Sequence, residues 1–335
     1  MPITGTDLKV FKSQKISDTP SQNGGRRSNI EIISGARNSV FNDLTEEQRS
    51  LGAKHTRKEC LVNHNTSNLA GQSPWVAMDY PTAYGDMGYF IPASATALES
   101  DLTGAEEKYS AGLLTQEAAS RSNTLVITME PGLENIFADG DSIWVHTKQR
   151  ITGTSTGERE RHSISGAPVV AGQQVTITLV GTLVNTMPVG AKVCRIYRHS
   201  TSLAPGFSLV SQSGTGSYDF TGYPLQLNNL GSISQRWTVD YISTSQASVS
   251  GDDVGALGTF ALNADIEPIN AFTGQPYFTL QAGGHGSSHV AGDKLIFDTT
   301  GAELHYFVVR DVPPGTGVIS LEDISTSYGV ESPQS

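Results

Sequence analysis

From residue 123 onward the chain is written in short β-branched or alternating runs, and nothing else constrains its fold as much. Leu125-Val126-Ile127-Thr128, Ser142-Ile143-Trp144-Val145-His146, Glu158 to Ile164, Val175 to Val180 and Lys192 to Tyr197 follow one another, with turns at Asp139-Gly140-Asp141 and Val189-Gly190-Ala191. Strands of this length and spacing predict a small barrel or sandwich over residues 123–200. A second series predicts another β domain over 234–328: Gln235 to Ile242, Phe260-Ala261-Leu262, Tyr277 to Leu280, Lys294 to Phe297 and His305 to Arg310. Between them, 201–233 is rich in Ser and Gly, with Asp219 as its one charged residue. It reads as a linker, or as an extended hairpin lying on another surface.

The front of the chain is less regular. Residues 1–42 read as an extended arm, because Pro2, Pro20, Gly24 and Gly25 interrupt apolar pieces too short to fold alone. A mixed segment with one or two short helices follows over 43–122. Thr45 is a good N-cap, Gln48 completes a capping box, and Gly52 ends the helix. A second helix is expected over 99–121, weakened by Gly104 and Gly112. Residues 71–92 hold Trp75, Tyr80, Tyr84, Tyr89 and Phe90, read as anchors of a packed loop or as a sugar-stacking surface. The tail, 329–335, is expected to be disordered. The fold class is therefore mainly β, with an extended N-terminal arm, short helices and two sandwich-like or barrel-like domains.

Charge narrows the function. Only 16% of residues are charged, against a usual quarter. Residues 1–60 hold ten Lys and Arg against seven Asp and Glu, a charge of +3; the remainder holds 12 against 26, or −14. An acidic body disfavours direct nucleic-acid binding. No apolar stretch approaches the length of a membrane span, and the start lacks a signal-peptide core. Cys60 and Cys194 lie far apart, as buried thiols of a reducing compartment would.

Catalytic patterns are weak. Gly153-Thr154-Ser155-Thr156-Gly157 matches G-x-S-x-G, but Glu158-Arg159-Glu160-Arg161 follows where a helix is required, so Ser155 reads as a hairpin tip. His285, His289 and Asp293 sit in a glycine-rich loop, where their spacing is a poor metal signature. Glu106-Glu107 and Asp252-Asp253 read as solvated acids, and there is no phosphate loop or dinucleotide fingerprint. No catalytic residue, cofactor or metal is expected.

Three stretches resemble structural proteins of tailed-bacteriophage particles. They are Asp7 to Ser13 with Asn23-Gly24-Gly25-Arg26 and Asn38 to Leu44; the Arg236-Trp237 strand; and Glu267 to Leu280, containing Thr273-Gly274-Gln275-Pro276-Tyr277-Phe278-Thr279-Leu280, with Asp293 to Thr300. His285 departs from the pattern, where the family often has a bulky aromatic. The resemblance implies a virion subunit of the neck, collar or tail, assembled in the bacterial cytoplasm from copies of itself in a symmetric ring and from other virion proteins. Arm contacts would then fall on Leu8, Val10, Phe11, Ile30, Ile32 and Phe41. The alternative is a carbohydrate-binding or receptor-binding attachment protein using Trp75, Tyr80 and Tyr84. A glycan-degrading enzyme has no positive signal.

Overall fold

The computed structural model describes residues 3–82, 85–148, 157–286, 288–317 and 324–331. Strand outweighs helix 46% to 6%, so the fold is mainly β, built on three antiparallel sheets. The first sheet contains β1 (Leu8–Lys15), β2 (Gly24–Glu31), β3 (Ala53–Asn63), β5 (Met87–Ala93) and β18 (Glu303–Val312), in the order β2-β1-β3-β18-β5. The second runs β10 (Val169–Ala171), β11 (Gln174–Thr178), β7 (Thr124–Thr128), β6 (Ala111–Leu114), β12 (Lys192–Arg198), β4 (Gln72–Met78), β19 (Thr326–Glu331). On its flank β8 (Ser142–His146) bonds to β12, and β9 (Arg159–Ser163) bonds to β8. The third sheet is β13 (Gly206–Ser213), β17 (Lys294–Thr300), β14 (Gln235–Tyr241), β15 (Gln246–Gly251) and β16 (Gly255–Ala261), in that order.

Sequence period explains how each sheet is buried. In β18, Leu304 through Val309 are all buried. Leu304, Tyr306 and Val308 join a core with Val76, Met78 and Phe90, while Phe307 and Val309 join another with Leu125, Ile127 and Val175. A strand covered on both faces reads as a continuous apolar run. By contrast, β14 alternates: Trp237, Val239 and Tyr241 are buried while Arg236 is exposed. Its apolar face meets Leu295 and Phe297 of β17 and is covered by Ile266, Phe278 and Leu280. Trp237 also donates its indole N–H to Thr299 Oγ1 at 2.8 Å. Burying one such large side chain contributes roughly 1.5–3 kcal/mol.

The capping box forms as the sequence requires. Helix α1 (Glu46–Leu51) starts after Thr45, whose Oγ1 accepts from the Gln48 amide at 3.1 Å, while Gln48 Oε1 accepts from the Thr45 amide at 2.9 Å. Gly52 ends it at φ 82°.

Other expectations change. The helix expected over 99–121 is a single 3-10 turn, Glu99–Asp101, followed by β6. Gly104 holds φ +87°, and the backbone of β7 passes so close to Gly112 that a Cβ would lie 2.8 Å from Thr128 O. The arm does not stand apart. β1 pairs with β3, and Ile32 N donates to Val10 O at 2.7 Å, because Leu8 and Val10 alternate into the core. The 201–233 segment is not a linker throughout, since β13 is an edge strand of the third sheet. Residues 234–328 do not stay together either: β18 leaves for the first sheet, where its two apolar faces find partners. Tyr277 to Leu280 forms bridges from Gln226 to Thr279 and from Ile266 to Leu280 rather than a ladder strand, and it caps the third core. In the expected tail, Gly329 to Glu331 complete β19 against β4, and 332–335 lie outside the described residues.

Candidate assembly interface

The six arm residues separate. Leu8 and Val10 are buried, and Ile32 and Phe41 pack against the same core. Phe11 is buried on the opposite face of β1 with Cys60 and Val62, under the Arg27 guanidinium at 5.2 Å. Phe41 lies beneath Arg310 at 4.9 Å. Ile30 alone is well exposed, at 54%. Five of the six therefore hold this chain's own fold together, and their apolar surface is spent internally.

What fastens the arm went unread in the sequence. Lys58, on the middle of β3, is buried with its ammonium among four carbonyl oxygens: Gly25 at 2.7 Å, Ser94 at 2.7 Å, Ala95 at 2.8 Å and Ala97 at 3.1 Å. Burial pushes it down to about 8, so it is still mostly charged at neutral pH. It ties the start of β2 to the loop after β5. Nothing around Lys58 in the sequence marks it as buried, because its carbonyl partners come from distant turns.

A second polar cluster joins the first and third sheets. The buried Glu303 carboxylate pairs with Arg27 Nε at 3.0 Å and His305 Nε2 at 3.3 Å, and accepts from Ser234 Oγ at the entry to β14. Burial opposes its ionisation, yet His305, Arg27 and Ser234 hold it well below the usual carboxylate range. Cys60 Sγ lies 3.7 Å from this carboxylate and 3.9 Å from His305 Nε2. Cys, Glu and His at such spacing could in principle hold a metal. Here Arg27 already balances Glu303, and burial followed by the Glu303 charge pushes the Cys60 thiol upward, away from the thiolate a metal needs. The cluster ties β2, β18 and the entry to β14 together through the Arg27–Glu303 pair.

The histidine loop packs against β14. His289 stacks on Tyr241 at 3.7 Å, and the Tyr241 hydroxyl meets His285 Nδ1 at 3.1 Å. Burial lowers both imidazoles, His285 to about 4, so His285 is neutral at physiological pH. Asp293 accepts from the amides of Thr215 at 2.9 Å and Gly216 at 2.8 Å, which keep its carboxyl low. Asp252 and Asp253 are not simply solvated; both pair with Arg26. Glu106 accepts from the amides of Thr103 and Gly104, and Glu107 meets Arg195 at 3.3 Å. Ser155 lies outside the described residues.

The aromatic-rich stretch is engaged within the chain. Trp75 meets Trp144 edge-on at 5.8 Å, with the Arg159 guanidinium 5.7 Å from its ring. Tyr80 lies against His146 at 5.8 Å, with Lys192 at 5.4 Å. Tyr84 lies outside the described residues.

Exposed apolar side chains also occur on β13. Phe207, Leu209 and Val210 are 38%, 45% and 45% exposed. The absence of charge was legible in the sequence; that this stretch is the rim of a sheet was not.

No protein-family model matches the chain, and no curated protein matches it. Among solved structures, the crystal structure of infectious bursal disease virus VP2 subviral particle aligns at 9% identity with a TM-score of 0.11, over 87% of this chain and 80% of that one. A likeness at that level carries no argument about this protein.

Proposed function

We propose that this chain is a structural subunit of a tailed-phage particle, placed at the neck, collar or tail. It works through contacts with copies of itself in a symmetric ring and with other virion proteins, not through chemistry, and it binds neither membrane nor nucleic acid directly. The carrying observation is the segment Thr273 to Leu280 with Asp293 to Thr300, which is similar to such proteins. Tyr277, Phe278, Leu280, Leu295 and Phe297 of that segment are all buried, so the likeness lies in framework positions. The attachment reading gains no observation, because the Trp75 and Tyr80 rings are engaged within the chain.

The test is to purify particles from a producing host through a density gradient and image them with the chain tagged. The expected result is stoichiometric retention, with the tag on a ring at the neck or tail. Recovery of the chain only among non-particle proteins would reject the proposal.

A further inference from the structure

We propose that Asp86 and Glu130 hold a calcium ion between the first and second sheets, with Thr82 Oγ1 and the Asp86 carbonyl oxygen as further ligands. The site stands whether or not the chain is a virion subunit.

Two strands bring these residues together. Asp86 immediately precedes β5 of the first sheet, and Glu130 lies just past the end of β7 of the second. Glu130 reaches across the gap. Its Oε2 accepts from the Gly88 amide at 3.3 Å, and its Oε1 meets Thr82 Oγ1. The same Thr82 hydroxyl meets the Asp86 carbonyl oxygen. Asp86 and Gly88 are buried with the half-buried Met87 between them, the alternation of extended chain in which residues two apart share a face. A Cβ on Gly88 would lie 2.8 Å from Thr82 Cγ2, so Thr82 is on that face. The Asp86 carboxylate is thus directed to the side where Thr82 and Glu130 meet, and its charge is felt at Glu130.

The oxygens gathered there are short of hydrogens. Thr82 has one hydroxyl proton for its two oxygen neighbours. Asp86 is fully buried, and neither of its carboxylate oxygens has a hydrogen-bond partner. Other buried acids are answered: Glu303 by Arg27 and His305, Asp293 by the amides of Thr215 and Gly216. Among the described residues no lysine or arginine pairs with Asp86 or Glu130. A buried carboxylate with neither donor nor cation is costly. One added proton would serve one oxygen, whereas a divalent cation answers all of them.

The ligand chemistry selects the ion. Two carboxylates, a backbone carbonyl and a hydroxyl form a hard, all-oxygen set, suited to calcium or magnesium rather than to zinc or copper. Calcium accepts irregular shells that include backbone carbonyls, while magnesium demands near-octahedral geometry and gives up its water reluctantly. A carbonyl and a carboxylate from the one residue Asp86 therefore favour calcium. Thr82 and Glu130 are half-buried, which leaves a path from solvent. Bound there, the ion ties the turn before β5 to the end of β7, and its binding adds to the stability of the folded chain.

The experiment takes the full chain, stripped with EDTA and dialysed. It is titrated calorimetrically with calcium chloride and, for comparison, magnesium chloride, and its melting is followed by circular dichroism. The variants are Asp86→Asn, Glu130→Gln and, as a control, Glu117→Gln at an exposed acid. We expect one saturable calcium site per chain, magnesium binding weaker by about tenfold or more, and a thermal midpoint that rises with calcium. Asp86→Asn and Glu130→Gln should each weaken calcium binding by about tenfold or more and abolish that rise, while Glu117→Gln matches wild type. If Asp86→Asn does not fold, Glu130→Gln at its half-buried position decides. The site is wrong if wild type shows no saturable binding at about 10 mM calcium, above the range of calcium sites, or if a folded variant of either acid binds as wild type does. Magnesium binding equal to or tighter than calcium overturns the assignment of the ion.

Discussion

The first and third sheets solve the same problem in opposite ways. The first is wrapped on both faces, and its buried charges, Lys58 and Glu303, have partners from distant parts of the chain. The third has one buried face, simple alternation and an uncharged rim. A strand covered on both sides must satisfy every polar group internally, so removing one partner is costly. A rim strand has little to lose in the folded chain. The N-terminal stretch, composed like an arm, is thus structural, whereas the stretch composed like a linker supplies the rim strand β13.

Deleting residues 1–31 is the harshest challenge to that contrast. Without β1 and β2, the buried Leu61 and Val62 lose their cover and Lys58 loses one of its carbonyl partners. We expect no cooperative thermal transition by circular dichroism. A truncated chain that melts within a few degrees of wild type would show the first sheet to be no more integrated than the third.

Glu303→Ala comes next. It strands Arg27 in a buried site, and a loss of about 3–5 kcal/mol is expected from urea unfolding. A loss under about 1 kcal/mol would mean that water reaches the clamp. Leu225→Glu sharpens the same point within the third module. Leu225 packs against that module's core, so charge there should cost about 1–3 kcal/mol of fold stability, in contrast to the small effect expected from Leu209→Lys on the exposed rim.

The smallest effect concerns pH. Burial lowers His146 from 6.5 to about 4, although Asp79 O at 3.0 Å opposes this. The unfolded chain takes up this proton near pH 6.5 and the folded chain only near pH 4. The stabilisation is therefore complete above 6.5 and is lost as pH falls towards 4. Glu59 and Glu130, raised from 4.5 to about 7 by burial, act in the opposite direction: their contribution is fullest below 4.5 and declines as pH rises to 7. Wild type alone mixes these effects, so the measurement compares wild type with His146→Gln across pH 4–7. The variant should lose less stability on acidification; parallel curves would place the histidine in water.

Local rules carried far in this chain. The Thr45–Gln48 box, the alternation in β14 and β17 and the apolar run of β18 each state their structure within a few residues, because backbone capping and one-face burial are local demands. Where the demand was not local, the reading failed. Glu99, Leu102, Ala105, Tyr109 and Leu113 looked helical by spacing, yet Gly112 lets β6 approach β7. The candidate interface was half legible. The sequence declared 201–233 uncharged apart from Asp219, but only strand order put β13 on a rim.

By itself, then, the sequence determined that this protein is mainly β, where its first helix and strands such as β14 and β17 lie, and which of their side chains would seek a core. Those properties follow from period, turn chemistry and burial of apolar area, all written along the chain. The tertiary structure alone decided that β18 would cross to the first sheet, that Lys58 and Glu303 would be buried with partners, and that β13 would be left at an edge. Pairing between strands far apart in sequence depends on which faces fit once all are present, and no single segment encodes it.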